Sequence, residues 1–458
     1  MRLAHLADLH LRLRQPGTSR SASRRSRVVA TVLPQALAQV QAAGADLIVV
    51  TGDVLDVPDY LLGHHAGYDF GRELWEADAE ADYRWLRAQL DATGLPYHVL
   101  PGNHDWCDPF QRVFGDQPRV FELGGYRYVA FWDREGDGHV PRRLDRERAL
   151  LEQVLREPGP QVHLQHYLLH PPLDAGWPYN YLECEHLRAQ VAGSGKVVLA
   201  LAGHYHQGTD LLAWGGTQFA AAPAFTVCPH GWRLLALDGP DVSMATHATL
   251  AQPLEHGRPA VFLDRDGVLT VAPSWRAGPD TLATVPGAPQ ALRALHDAGY
   301  ALVVISSQSA VGYGYVTPET VDACFDKLAR DLLTAGVCYD AFYFSTGAGE
   351  HAVHERWRDQ SDAKPSPAHV LAACRTLGLS LAGSVFVGDN LSDLQCALNA
   401  GVTPILVRTG AGAATEQRLA SHPELGPVPV LDSIRALTPA WLQNYNRPAR
   451  DCAPGDDQ

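Results

Sequence analysis

What most constrains the fold is a repeating pattern. Short apolar runs are each closed by Asp, His, Asn or Gly and followed by a stretch with helical periodicity. The first series is Leu3–Ala7, Asp46–Val50, Tyr97–Leu100, Tyr126–Phe131, Val162–Gln165 and Val197–Ala202. Such runs, bounded by polar turns and separated by helical patterns, signal the strands of an α/β architecture. After Leu237 the chain loosens into GPDVSMATHATLAQPLEHGRP. A second series then opens: Ala260–Leu263, Ala301–Ile305, Ala341–Phe344, Ser384–Val387 and Pro404–Val407. A chain of 458 residues has room for two or three domains. The expectation is an α/β domain over 1–240, a linker over 241–258, a second α/β domain over 259–440 and a polar, Pro-rich tail over 441–458.

Charge narrows the partners. Residues 1–258 carry 23 Lys+Arg against 30 Asp+Glu, and residues 259–458 carry 14 against 21, so each part is −7. A broad nucleic-acid-binding surface has the opposite sign. Arg12, Arg14, Arg20, Arg24, Arg25 and Arg27 form a local basic cluster. In a chain with 34 Arg and three Lys it reads first as a solvated loop, and second as a steering patch for phosphorylated substrates. The apolar stretches, such as Val197–Gly203, fall far short of the ~18–20 residues of a membrane span. The opening MRLAHLADLH lacks the apolar core of a signal peptide. A cytoplasmic protein without a membrane partner is expected. The eight Cys, with no Cys-x-x-Cys pair, read as reduced thiols.

Five polar clusters follow five of the first-series strands: Asp8-Leu9-His10, Gly52-Asp53-Val54-Leu55-Asp56, Gly102-Asn103-His104-Asp105, His166, and Gly203-His204-Tyr205-His206. Strand ends are where α/β sheets build their sites. Only O and N donors appear, which suit Mn, Fe, Zn or Mg. The donors are too numerous for one ion and suit two sharing a carboxylate. Two metals ~3.5–4 Å apart can clamp the attacking and departing oxygens of a phosphoryl transfer.

The ordered set resembles the calcineurin-like metallophosphoesterases over about residues 1–240, which implies an α/β sandwich and two divalent metals. By that resemblance Asp8, His10 and His206 hold the first metal, Asp53 bridges, and Asn103, His166 and His204 hold the second. His104 matches the catalytic histidine and Asp56 the acid that orients it. The segment GHYHQGTDLLAWGG further resembles the cyclic-nucleotide phosphodiesterase-like branch. His170 in HYLLHPP competes with His166, which is preferred because it directly ends the VHLQ strand.

The second series carries its own set. Asp264 and Asp266 lie in VFLDRDGVL, Ser306 follows ALVVI, Lys364 lies in AKPSP, and Asp389 and Asp393 lie in VGDNLSD. Such residues support covalent phosphoryl transfer: one Asp attacks phosphorus, another moves the proton, Mg²⁺ offsets charge, and Lys plus a hydroxyl hold phosphoryl oxygens. This set resembles the haloacid dehalogenase (HAD) phosphatases over about residues 259–435, which implies a Rossmann-like fold. It also implies Asp264 as nucleophile, Asp266 as acid/base, Ser306 and Lys364 as phosphate-binding residues, and Mg organised by Asp264, the Asp266 carbonyl, Asp389 and Asp393.

The stretch VPGAPQALRALHDAGYALVVISSQSAVGYG resembles the heptose-bisphosphate, histidinol-phosphate and polynucleotide 3′-phosphatase group. Ser307 stands where that group often has Asn, Tyr313 where the heptose enzymes have Arg, and residues 345–363 lack the Cys of those enzymes' zinc loop. The gaps from Asp266 to Ser306 and from Ser306 to Lys364 leave no room for a large cap. The expected function is a bifunctional phosphohydrolase acting on phosphorylated small molecules such as sugar phosphates or nucleotides. Processing of nucleic-acid ends is the alternative, and a regulatory protein with one degenerate domain ranks last.

Overall fold

The computed structural model describes residues 1–13, 24–57, 62, 72–136, 139–173, 180–249, 257–271, 278–333 and 335–445. The chain divides into two compact units, Met1–Pro253 and Leu254–Gln458.

Among the described residues, the first unit holds two large sheets and a small ribbon of Arg134–Glu135 with Pro141–Arg142. One runs, in spatial order, Asp241–Ala248, Gly231–Asp238, Arg2–Leu6, Leu47–Thr51 and Tyr97–Leu100. The other runs Leu212–Trp214, Thr217–Ala221, Val197–Ala202, Gln161–Leu164, Tyr126–Ala130 and Val120–Leu123. Their inner strands are parallel. Leu3, Leu47, Val49, Leu100 and Leu235 of one sheet share a core with Tyr128, Val162, Leu164, Leu199 and Leu201 of the other. Each such side chain contributes about 1.5–3 kcal/mol when fully buried. The strand LIVVT is buried at every position, so its text is continuously apolar rather than alternating. The helix Ser26–Ala42 buries Val28, Val29, Val32, Leu33, Ala36, Leu37 and Val40, one stripe at helical spacing.

The loosened text after Leu237 is not all linker. Asp241–Ala248 is an edge strand, antiparallel to Gly231–Asp238 through eight residue pairs. Its side chains are only partly covered and its residues largely polar, so the apolar signal of a strand is weak there. Residues 250–256 of the expected linker lie outside the described residues.

The second unit is a single parallel sheet in the order Ala341–Ser345, Ala301–Ser307, Arg258–Leu263, Leu379–Gly388, Thr403–Val407 and Val430–Leu431. In chain order the strands read 3-2-1-4-5-6, a doubly wound sheet whose order reverses between Arg258–Leu263 and Leu379–Gly388. The helix Leu391–Ala400 opens on a capping box made by Asn390 and Asp393. Among the described residues, the segment from Asp266 to Ser306 holds a small ribbon, Thr270–Val271 with Ala283–Thr284, and the helix Ala288–Asp297. From Ser306 to Lys364 come the helix Pro318–Leu333, a strand of the main sheet and two single-turn 3₁₀ segments. The helix Pro439–Tyr445, anchored by buried Leu442, occupies the start of the stretch read as tail. Residues 446–458 lie outside the described residues.

Candidate active sites

In the first unit, every donor group singled out in the sequence sits just past a strand. Asp8, His10, Asp53 and His206 place one donor atom each within 4.8 Å of one another, and so do Asp53, His166 and His204. Asp53 is therefore common to two groups. Its Oδ2 lies 3.6 Å from His10 Nε2, and its Oδ1 lies 3.4 Å from His166 Nε2. Asn103 joins the second group, its Oδ1 3.0 Å from His166 Nε2. His170 lies elsewhere, its ring against Phe219.

Backbone and glycines fix this arrangement. Asp8, His10, Asp53 and His204 all adopt positive φ, between 44° and 63°. Non-glycine residues held there carry strain that a structure tolerates mainly at functional positions. A Cβ on Gly52 would stand 2.3 Å from His166 Nδ1, and one on Gly102 would stand 2.2 Å from Asp53 Oδ1. The backbone N–H of His204 donates to Asp8, and that of His104 donates to Asp53 Oδ1 at 2.9 Å. His166 Nδ1 donates to the Thr51 carbonyl at 2.8 Å, so Nε2 faces the cluster.

The electrostatics are those of a cation site. Burial, with the neighbouring Asp53 carboxylate, pushes Asp8 up to about 8. Burial alone would raise Asp53 too, but His166, His104 and His10 outweigh it and hold its carboxyl well below the usual range. Burial drives His10, His204 and His206 down, so their imidazoles are neutral, the form that ligates metals. For His166 burial opposes the charge, yet Asp53 prevails and lifts it to about 9. Carboxylates, the three neutral imidazoles, the His166 ring and an amide oxygen converge here. This donor set fits two divalent ions.

His104 and Asp56 lie at the edge of the cluster, His104 Nδ1 3.7 Å from Asp56 Oδ1. A direct bond to Asp56 comes from a residue that sequence reading left in a generic basic cluster. Arg24 Nη1 donates to Asp56 Oδ1 at 2.8 Å, and Nη2 lies 3.3 Å from His104 Nε2. Arg14 and Arg20 of that cluster lie outside the described residues. Asp105 received no role from the sequence either. Its carboxylate accepts from the N–H groups of Val54, Leu55 and Gly102 and from the Tyr83 hydroxyl. It thereby staples the turn carrying Asp53 to the turn carrying Asn103 and His104.

In the second unit, Asp264, Asp389 and Asp393 converge within one ligand sphere. Asp264 and Asp389 stand just past Arg258–Leu263 and Leu379–Gly388, the two strands where the order reverses, and Asp393 lies in the first turn of the helix Leu391–Ala400. Lys364 Nζ reaches Asp264 Oδ1 at 2.8 Å and Asp393 Oδ1 at 2.6 Å. Three buried carboxylates against one ammonium leave net negative charge, which a divalent cation would offset. Burial pushes Asp264 up to about 7 and Asp389 up to about 6. The same pairing raises Lys364 despite its burial.

The Asp266 side chain is not a member of that cluster. It forms a two-point ion pair with Arg265, at 3.1 and 2.8 Å, and accepts from Thr270 and Gln308. Gln308 also donates to Ser306 Oγ at 2.8 Å and so ties the acid/base candidate to the hydroxyl. Its position two residues after Ser306 on an extended chain was the available signal, since i and i+2 share a side. His351 and His354 belong to no group of convergent ligands among the described residues.

A two-sheet α/β unit with this Asp/His/Asn cluster, and a doubly wound unit with three Asp around a buried Lys, define the chain as a phosphoric ester hydrolase with two phosphatase-type domains. The family models agree. The family model of the calcineurin-like phosphoesterases matches residues 1–208, and that of the HAD-hydrolase-like proteins matches residues 362–437. The D-glycero-beta-D-manno-heptose-1,7-bisphosphate 7-phosphatase of Vibrio cholerae is 36% identical over 179 residues, 39% of this chain and 93% of its own length. The D,D-heptose 1,7-bisphosphate phosphatase structure from B. bronchiseptica, complexed with magnesium and phosphate, has 30% identity and a TM-score of 0.36, covering 41% of this chain and 99% of that one. A dimetal phosphatase structure from Danio rerio has 15% identity and a TM-score of 0.38, covering 54% of this chain and 99% of that one. The chain belongs to the calcineurin-like phosphoesterases in its N-terminal part and to the HAD-hydrolase-like phosphatases in its C-terminal part.

Proposed function

We propose that this chain is a bifunctional, metal-dependent phosphohydrolase whose two sites act on phosphorylated small molecules such as sugar phosphates or nucleotides. The observation that carries it is the pair of complete ligand sets, one per unit: Asp8, His10, Asp53, His166, His204 and His206 in the first, Asp264, Asp389 and Asp393 in the second.

In the first unit the ligand set would hold two divalent ions of the Mn, Fe, Zn or Mg type. Bound there, they would activate a water and clamp the attacking and departing oxygens. Asp53 would hold both ions together, and Asn103 would join His166 and His204 in holding the second. His104 would protonate the departing oxygen, and Asp56 would hold that imidazole in place. In the second unit Mg²⁺ would neutralise the carboxylates and phosphate. Asp264 would attack phosphorus, forming an aspartyl-phosphate O–P bond as the ester O–P bond breaks. Asp266 would deliver a proton to the departing oxygen and then take one from the water that cleaves the acyl-phosphate. Before that, its carboxyl must turn from Arg265 toward the substrate. Lys364 and Ser306 would bind phosphoryl oxygens.

The sugar-phosphate reading draws support from the curated relatives, which are named as heptose-bisphosphate phosphatases. The test is a screen of phosphate monoesters and diesters, including sugar phosphates and nucleotides, with Mn²⁺ and Mg²⁺ supplied separately. Two activities are expected, one removed by Asp8→Ala and the other by Asp264→Asn. Loss of every activity in either single variant, with the fold intact, would sink the two-site reading.

A further inference from the structure

Arg24 is the one guanidinium bonded at the Asp56–His104 edge of the first site among the described residues. Its side chain is 14% exposed and its Nη1 is bonded to fully buried Asp56. Its Nη2 lies 3.3 Å from His104 Nε2. On its other side the His104 ring faces the Val57 carbonyl, with Nδ1 at 3.4 Å.

Nη1 of this permanent cation is already paired with Asp56, while Nη2 stands against the His104 ring. The anion this site exists to receive is a phosphoryl group, whose planar recognition suits a guanidinium.

Resting on the metallophosphoesterase reading of this site, we propose that Arg24 is a phosphate-binding catalytic residue. Its guanidinium rests on Asp56 and His104. When substrate arrives, Nη2 moves from His104 to a non-bridging phosphoryl oxygen while Nη1 keeps its bond to Asp56. No bond beyond hydrogen bonds forms or breaks in this exchange.

The test uses the full chain in an Asp264→Asn background, which silences the second site, loaded with Mn²⁺. Inorganic phosphate is the probe, read as its inhibition constant and by calorimetry, beside KM, kcat and bound metal per chain. Loss of a charge-assisted hydrogen bond to an anion predicts phosphate affinity ~10–100-fold weaker in Arg24→Ala. Arg24→Lys should recover part of it, metal content should match the parent, and added guanidinium should restore affinity to Arg24→Ala in a saturable way. Unchanged phosphate affinity with a lower kcat, reproduced by Asp56→Asn, would overturn the proposal and leave Arg24 a prop for Asp56. A fall in bound metal would also overturn it, by placing Arg24 among the supports of the ligand cluster. If the Asp264→Asn chain itself neither binds phosphate nor turns over with Mn²⁺ present, the reading of the whole site fails, an outcome distinct from both.

Discussion

At the scale of single residues, the first site depends on side chains that serve two masters. Asp53 offers one oxygen to each ligand group. Asp53→Asn should therefore lower bound metal and N-terminal activity together, while C-terminal turnover persists; metal analysis beside both assays checks this. His104 belongs to neither Asp53-containing group, meeting His10 and Asp56 in a separate one, so His104→Ala should keep metal content near the parent. Its kcat should fall ~10²–10⁴-fold, the scale of a general acid. The fall should shrink for nitrophenyl esters, whose departing oxygen needs little protonation. An equal loss for good and poor leaving groups would assign His104 to phosphate binding instead. Arg24, Gln308 and Asp105 show what residue-level reading of the sequence missed. Each acts through a contact with a residue whose place is set by another turn, and Asp105 and Gln308 are buried as well.

At the scale of elements, three strands of the first unit each bury an imidazole with no catalytic assignment: His5 in Arg2–Leu6, His98 in Tyr97–Leu100 and His163 in Gln161–Leu164. Burial drives His5 to about 3, His98 to about 4 and His163 to about 3. A histidine depressed in this way binds its proton in the unfolded chain first. Stability is then full above about pH 6.5 and is lost as pH falls toward the folded values. Each such group steepens the loss by up to about 1.4 kcal/mol per pH unit in that window. Chelated protein should accordingly unfold more readily at pH 4.5 than at pH 7, followed by denaturant titration. His98→Gln should flatten the dependence between about pH 4 and 6.5; an unaltered slope would show that His98 is not buried neutral. The element missed in the sequence, the edge strand Asp241–Ala248, was hidden for a related reason. With its faces only partly covered, it needs little apolar text to hold its register.

At the scale of the whole chain, each compact unit carries its own ligand set, so the two chemistries should separate cleanly. Beryllofluoride with Mg²⁺ should inhibit the C-terminal activity by mimicking phosphate on Asp264, and should leave Asp53-dependent turnover largely intact. Rapid quenching during C-terminal turnover should trap a hydroxylamine-sensitive phospho-enzyme that maps to Asp264. N-terminal turnover should trap none. No phospho-enzyme at Asp264 under conditions where its hydrolysis limits the rate would end the covalent reading of Asp264. None of the described helices is long and apolar enough to cross a membrane, which agrees with the short apolar runs of the sequence.

The sequence by itself determined the α/β alternation, the positions of the inner strands and the residues that end them. These follow from local physics: buried parallel strands require continuous apolar runs, and strand ends require polar turns. It likewise supplied the candidate donors, because Asp8, Asp53, Asn103 and Asp264 each stand directly after such a run. Tertiary structure alone decided which donors meet. It seated His166 rather than His170 beside Asp53, turned Asp266 toward Arg265, and brought Arg24 across 80 residues of chain to His104. Those choices depend on loop paths and on the electrostatics of a buried cluster, where each charge sets the place of the next. No window of sequence contains that information.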